Sequence, residues 1–387
     1  MRFAIDAHAL GRHLTGNEVY VRSLLREFPS LDGESEFLAY ISERGAERWV
    51  PESFKVRRLP GNPFARLGWE FGKHLRADRP DLVHVQYTAP LGSSTPIVVT
   101  VHDVSFLDRP EFFTPARRIQ LRTTVALTIQ RAARVLTVSE FSRHAILRAY
   151  PGCRNKIRVI PNAAESAFRV ICRDRASRAV RDSWGIDGPF LLSVGDLQPR
   201  KNHIGLIAAF AKLLGSHPRV PHHLVLAGQF TWFAPKVKEA ARLSGFGDRI
   251  HFPGFVSEEQ LVALYNACEC SVFPSFYEGF GLPILEAMAC GCPVACSDTS
   301  AMPEVAADAG IYFRPDDTGQ ICRAMLDFIL ETELRRRTAS LGIRRAAGFS
   351  WRKSASATLA VYREVCNAHR HPPTKLNSSA ARAELKA

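Results

Sequence analysis

Two glutamates, Glu278 and Glu286, bracket the stretch Gly279-Phe280-Gly281-Leu282-Pro283-Ile284-Leu285. Two glycines running into a helix start expose unpaired backbone N–H groups and the positive end of a helix dipole, a combination that suits phosphate oxygens. Pro283 fits the first helical position, where its missing N–H costs nothing. At ~1.5 Å rise per residue, both carboxylates reach a ligand lying across that helix start. Carboxylates repel phosphate, so their natural partners there are sugar hydroxyls. Either glutamate alone reads equally well as a surface residue or one that favours the dipole. The pair around two glycines is the more specific signal.

A second group of residues supplies positive charge. Arg200 and Lys201 follow the apolar run Phe190 to Val194 and Gly195, so a guanidinium fork and a point charge sit at the carboxyl end of an expected strand. Adjacent basic residues in a loop are commonly just solvated. After a strand and a glycine that permits close backbone approach, contact with a diphosphate is favoured. His102 ends the apolar run Pro96 to Val101, again at a strand's carboxyl end, where open α/β sheets bind ligands. Its plain alternative is a histidine bonded to loop backbone. Gly16-Asn17 repeats the flexible turn before a helix, expected over Glu18 to Glu27.

The elements that must hold these residues alternate between strand and helix, the rhythm of parallel sheets. In the first half, strands are expected over Arg2 to Asp6, Phe37 to Ile41, Phe54 to Leu59, Leu82 to Gln86, Pro96 to Val101 and Val135 to Val138. Helices are expected over Asn62 to Ala77 and Thr114 to Ala133, with another opening at the capping residue Ser139. Ile157 to Asn162 closes this half, and the Arg-rich stretch to Gly188 reads as a linker. In the second half, strands are expected over Phe190 to Val194, Leu224 to Ala227, Arg249 to Phe252, Ser271 to Pro274 and from Pro293 through Cys296. Helices are expected over Ile204 to Leu214, Ser257 to Asn266 (with a Ser-x-x-Gln capping box), Leu282 to Cys290, Asp316 to Glu331, Glu333 to Ala347 and Trp351 to Cys366. The last of these is expected to cross back to the first half. From residue 367 onward the composition reads as a disordered tail.

With 387 residues, 46% hydrophobic and 23% charged, the chain suits two globular domains. No apolar run reaches the roughly 18 residues of a membrane span. The opening MRFAIDAHAL is too short an apolar stretch for a signal peptide and reads as a strand. Nine cysteines, several in apolar strands and helices, suit a reducing, cytoplasmic setting. Their spacing offers no zinc site. A formal charge of +13 favours an anionic partner: a phosphorylated substrate, anionic lipid headgroups or nucleic acid. The sequence has no interleaved aromatic and basic motif of a nucleic-acid module, so that reading is set aside. The arginines of the Thr114 to Ala133 helix allow a peripheral contact with an anionic membrane at the inner face of the cytoplasmic membrane. A solvated face is the duller alternative.

Glu278-Gly-Phe-Gly-Leu-Pro-Ile-Leu-Glu286, with Ala-Met-Ala-Cys-Gly-Cys-Pro-Val and Pro303-Glu304-Val305 after it, resembles the donor-binding signature of retaining glycosyltransferases of family 4. The run VLTVSEFSR ending at Arg143 is similar to the same family's pattern, and the resemblance spans roughly residues 1 to 350. It implies the α/β GT-B fold, two Rossmann-like domains with parallel sheets facing across a cleft. The domains would cover 1–165, joined by helix 351–366, and 166–350. It implies a nucleotide-diphosphate sugar as donor and a glycan or lipid-linked acceptor. GDP-mannose is the first expectation and UDP-glucose the next, as in bacterial mannosyltransferases of envelope polysaccharide assembly. The resemblance gives Arg200 and Lys201 to the diphosphate, with the amides of Gly279, Phe280, Gly281 and Leu282. His102 and Glu278 face the donor sugar, Glu286 the ribose, and Val256 the base. Gly195 allows the close approach, and Gly16 lies beside phosphates and acceptor. At Asn17 the chain departs from the usual second glycine. No Asp-x-Asp motif holds a metal, and none is expected, nor any cofactor. A sugar-nucleotide epimerase or a phosphorylase on the same fold are the competing enzyme readings.

Overall fold

The computed structural model describes residues 1–12 and 15–370; the segment 371–387, most of the expected tail, lies outside the described residues. Two sheets organise it, and every pairing in both is parallel. The first contains β1 (Arg2–Asp6), β2 (Glu36–Ile41), β3 (Lys55–Arg58), β4 (Leu82–Gln86), β5 (Ile97–Thr100), β6 (Arg134–Thr137) and β7 (Ile157–Val159), in the order β3-β2-β1-β4-β5-β6-β7. The second contains β8 (Phe190–Val194), β9 (His223–Ala227), β10 (Ile250–Gly254), β11 (Cys270–Phe273), β12 (Val294–Ser297) and β13 (Gly310–Phe313), in the order β10-β9-β8-β11-β12-β13. Strand order therefore reverses between β1 and β4 in one sheet and between β8 and β11 in the other. Crevices open at such reversals.

The sequence explains which strands are central. Val-rich strands such as β4 and β5 are buried at every position, as a parallel strand covered on both faces must be. The Lys-Val-Arg-Arg of β3 is half exposed and forms an edge, where charge discourages further pairing. One face of the first sheet packs Ala4, Val83 and Val99 under Phe71, Leu75 and Val125. The other face packs Phe3 and Ile5 under Leu24, Phe28, Leu359 and Tyr362, and this cluster continues through Phe168 and Val180 to Phe273 and Leu285 of the second half. The Trp351–Arg370 helix returns to the first sheet: Tyr362 Oη lies 2.6 Å from His84 Nδ1, and Ser354 Oγ donates to Pro161 O at 2.6 Å.

Several expectations are corrected. The first helix is Thr15–Leu31, so Gly16 and Asn17 lie in its first turn rather than in a loop before it. Their amides are among the N–H groups a helix start leaves unpaired in any case. The Arg-rich stretch taken as linker folds into the Arg173–Trp184 helix. Ala176 and Val180, four residues apart among arginines, bury one face against the Glu258–Ala267 helix, and Gly185 ends it at φ 67°. The expected Asn62 to Ala77 helix is interrupted by a π turn over Arg66–Glu70. The last helix reaches Arg370 instead of Cys366. The sequence reading also missed the Ala234–Leu243 and Met302–Ala306 helices and strand β13. Among the described residues, no helix is long and apolar enough to cross a membrane.

Candidate active site

The carboxyl ends of β8 and β11 lie side by side where the second sheet reverses, and their loops are tied by a bond from Phe276 N to Arg200 O at 2.9 Å. Arg200 and Lys201 stand on a single turn, Pro199–Lys201, which Pro199 pre-orders. Gly195 has φ 153°, and a Cβ there would fall 2.8 Å from Lys201 Cε, so only glycine leaves room for the lysine stem. Both cations converge on Glu278. Arg200 Nη1 lies 2.6 Å from Oε2 and Lys201 Nζ 2.9 Å from Oε1. The Lys201 contact is an ion pair without an aligned hydrogen bond, since Oε1 has no hydrogen-bond partner by geometry. Arg200 also donates to Tyr277 O at 2.6 Å, and Lys201 Nζ sits 4.6 Å from the Phe273 ring centroid.

Electrostatics follow from that geometry. Burial alone would raise the Glu278 carboxyl, but the Arg200 and Lys201 charges outweigh it and bring it to about 2. Burial pulls the Lys201 ammonium down, against the Glu278 charge that holds it up. Glu286 behaves oppositely. It lies in the second turn of the Leu282–Ala289 helix, 8% exposed, with Tyr265 Oη donating to Oε2 at 3.3 Å. Burial, with Glu258 and Glu165 adding their charge, pushes it up to about 7. Two carboxyls of one signature are thus held in different protonation regimes.

The first sheet supplies the opposite wall. His102 follows β5, is 8% exposed, and its Nε2 lies 2.8 Å from Gln86 Oε1. An amide oxygen only accepts, so Nε2 carries the proton and Nδ1 is left as the acceptor. Burial pushes this imidazole down to about 4, so it is neutral near pH 7. Gly279 meets this wall directly: a Cβ on it would fall 2.4 Å from His102 O and 3.0 Å from Asp103 Cβ. No other residue fits between the sheets there. Ser139 Oγ donates to Gly279 O at 2.6 Å, and Ser142 Oγ lies 3.1 Å from the same oxygen and 2.9 Å from His102 O. Tyr277 Oη donates to Asp108 Oδ2 at 3.0 Å. The carboxyl ends of the two sheets therefore face each other across one cleft.

The structure brings together Arg200, Lys201, Glu278, Gly195, Gly279 and His102. Phe280, Leu282 and Glu286 are buried around Gly281, which caps the helix start. Gly16 joins them, since a Cβ there would lie 3.9 Å from Leu282 Cδ1. Val256 sits half-buried before the helix capped by Ser257, and the capping box is made in full. Among the described residues, Asn17 and Val256 make no hydrogen bond to the cations or to either glutamate. Asp103, Tyr265 and the Ser139/Ser142 pair were not read from the sequence as site residues. Ser139 was visible only as a cap, and Tyr265 was hidden inside an ordinary helix pattern.

Two parallel sheets opposed across a cleft, with Arg200, Lys201 and Glu278 clustered at the second sheet's reversal, are the architecture of the GT-B class. The chain belongs to the group 1 glycosyltransferases. Residues 177–345 match the model described as glycosyl transferases group 1, and residues 14–168 match that described as glycosyltransferase family 4. It is 33% identical over 271 residues to the O-antigen chain mannosyltransferase B of Escherichia coli, covering 69% of this chain and 70% of that protein. It is 30% identical to the serotype-specific mannosyltransferase WbdA of Escherichia coli, over 58% of this chain but only 28% of that protein's length. Among solved structures, Anabaena HepE in complex with UDP-glucose superposes with a TM-score of 0.76 at 21% identity, covering 94% of this chain and 99% of that one.

Proposed function

We propose that this protein transfers mannose from GDP-mannose to a glycan or lipid-linked acceptor of envelope polysaccharide assembly, with retention of anomeric configuration. The observation that carries the reading is the Arg200–Glu278–Lys201 cluster at the sheet reversal, beside the Leu282 helix start. The mannosyl choice is supported by the likeness to mannosyltransferase B and WbdA. On this reading the donor diphosphate replaces Glu278 as partner of both cations and lies against the amides at the helix start. As the glycosidic bond breaks, charge grows on the leaving phosphate, and the fixed cations and dipole stabilise that state more than the ground state. Glu278, released from the cations, accepts bonds from donor-sugar hydroxyls. Glu286 accepts from the ribose, and neutral His102 faces the sugar with Nδ1 as acceptor.

Retention follows from attack on the face the leaving diphosphate departs from, with that phosphate taking the acceptor's proton and no side chain as nucleophile. The positive charge the reaction needs is supplied by Arg200 and Lys201, so no metal is required. On the first sheet's side, the Pro115–Arg131 helix turns Arg117, Arg118, Arg122, Ile119 and Leu127 outward, which suits peripheral contact with an anionic membrane at its cytoplasmic face.

A thermal-shift panel of nucleotide sugars, followed by transfer assays and assignment of the product anomer by NMR, tests the reading. GDP-mannose is expected to give the largest shift and an α-linked product, with activity unchanged by EDTA. A larger shift and faster transfer with UDP-glucose overturns the donor assignment, and an inverted product overturns the mechanism.

A further inference from the structure

We propose that Glu304 is a positioning residue that latches the two sheets together and couples closure of the cleft to the grip on the donor. It does not face the anion cradle. Its carboxylate crosses the cleft to the start of the Glu140–Ala149 helix of the first half, where Oε1 accepts from Glu140 N at 2.8 Å and Oε2 from Phe141 N at 3.1 Å. First-turn amides have no acceptor within their own helix, and a negative charge there is favoured by the helix dipole. The neighbouring Glu140 carboxylate opposes this and is itself paired with Arg143 at 3.0 Å.

Both sides of the latch are firmly mounted. On the donor side, Met302 and Val305 are buried, while Arg345 donates to Glu304 O at 2.6 Å and to Val305 O at 2.9 Å. On the other side, Ser139 caps the helix by accepting from Ser142 N at 3.0 Å and spends its own proton on Gly279 O. One helix start therefore holds both the Glu304 carboxylate and the carbonyl of Gly279, the residue next to Glu278. When the cleft opens, these bonds break together: the turn carrying Glu278 loses its carbonyl anchor as Glu304 loses its amides. Closure thus orders the cradle, and Glu304 sets how far the equilibrium lies toward closure. Only the kinetic consequence rests on the glycosyl-transfer reading.

The test compares wild type, Glu304→Gln and Glu304→Ala as full chains. Glu304 is exposed, and a single cooperative melt will verify that the variants fold. Without any ligand, hydrogen exchange at the Glu140 and Phe141 amides is expected to quicken by about tenfold in Glu304→Ala. Glu304→Gln, which keeps one acceptor oxygen, should fall between. Small-angle scattering should give a larger radius of gyration for Glu304→Ala, and Ser139→Ala should shift it the same way. In turnover, kcat should drop roughly tenfold and donor KM should rise, because the closed state that orders the cradle and grips the donor is less populated. Unchanged amide exchange or an unchanged radius overturns the latch. Faster exchange with full kcat overturns its coupling to the donor. If wild type transfers no sugar at all, the reaction reading fails, while exchange and scattering still judge the latch.

Discussion

Glu278 is the residue where the site's state is set. Its carboxylate neutralises two cations at 2.6 and 2.9 Å, the same cations that the proposed function gives to the donor diphosphate. Glu278→Gln keeps the shape and removes the competitor. Free GDP is therefore expected to bind at least roughly fivefold tighter, a modest share of the Coulomb energy of charges in contact. Transfer should fall by about two orders of magnitude as the sugar loses its acceptor. Stability should drop by about 3 kcal/mol, because two largely buried cations lose their partner. Calorimetric titration, an activity assay and a denaturant melt read the three effects, and weaker GDP binding would refute the competition.

Glu286 makes a second prediction with opposite sign. Burial moves its carboxyl from 4.5 to about 7. The folded state then binds a proton that the unfolded chain has released, so its contribution to stability is full below pH 4.5 and is lost as pH rises through about 7. Ribose hydroxyls donate better to the ionised form. Donor affinity should therefore rise with pH up to about 7, by as much as about tenfold per unit below it. Glu286→Gln should flatten that profile, and a wild-type profile that is flat across the same range contradicts the role.

At the scale of elements, what the sequence made legible depended on how much of a pattern one element carries. Strands buried at nearly every position, such as Leu82–Gln86 and Phe190–Val194, are mostly apolar and coincide with the expected spans. The Arg173–Trp184 helix was read as linker because its buried face is only Ala176 and Val180 within a charged surround. Arg200, Lys201 and Glu278 were each visible as types at strand ends, yet their mutual neutralisation was not, because it exists only where β8 and β11 meet in space. Glu304 was visible as part of a motif, but its reach across the cleft depends on a helix that starts 164 residues earlier, and no local spacing encodes that. The Pro115–Arg131 helix carries a prediction at this scale. Leu121, Val125 and Ile129 are buried, while Arg118, Arg122, Ile119 (60% exposed) and Leu127 (54% exposed) reach the surface. At about 1 kcal/mol per basic residue near an anionic surface, reversing both arginines to glutamate should cut binding to anionic vesicles by roughly tenfold or more. Co-sedimentation with anionic and zwitterionic vesicles measures it. Equal binding to both kinds, or no loss on reversal, assigns the face to solvent.

In the whole molecule each sheet packs one face within its own half and turns the other into a cluster common to both. One apolar cluster runs from Phe3 and Phe28 through Tyr362 and Phe168 to Phe273 and Met288, and the Trp351–Arg370 helix, although last in the chain, packs on the first sheet. A domain that borrows its covering helix from the end of the chain cannot complete its core until the second half has been made and folded back. The two halves should therefore melt together. Calorimetry is expected to show a single transition whose van't Hoff and calorimetric enthalpies agree. Tyr362 is the sensitive point, fully buried, with its hydroxyl 2.6 Å from His84 Nδ1 and its ring 5.1 Å from Phe3. Tyr362→Phe removes the hydroxyl alone and should cost about 1 kcal/mol or somewhat more, since His84 is left unpaired on that side. Tyr362→Ala removes the ring as well, and about 3 to 5 kcal/mol is expected from the cavity. In both variants the single transition should move as a whole to lower temperature. If Tyr362→Ala instead splits the melt, with the second half unfolding at the wild-type temperature, the shared cluster does not couple the halves.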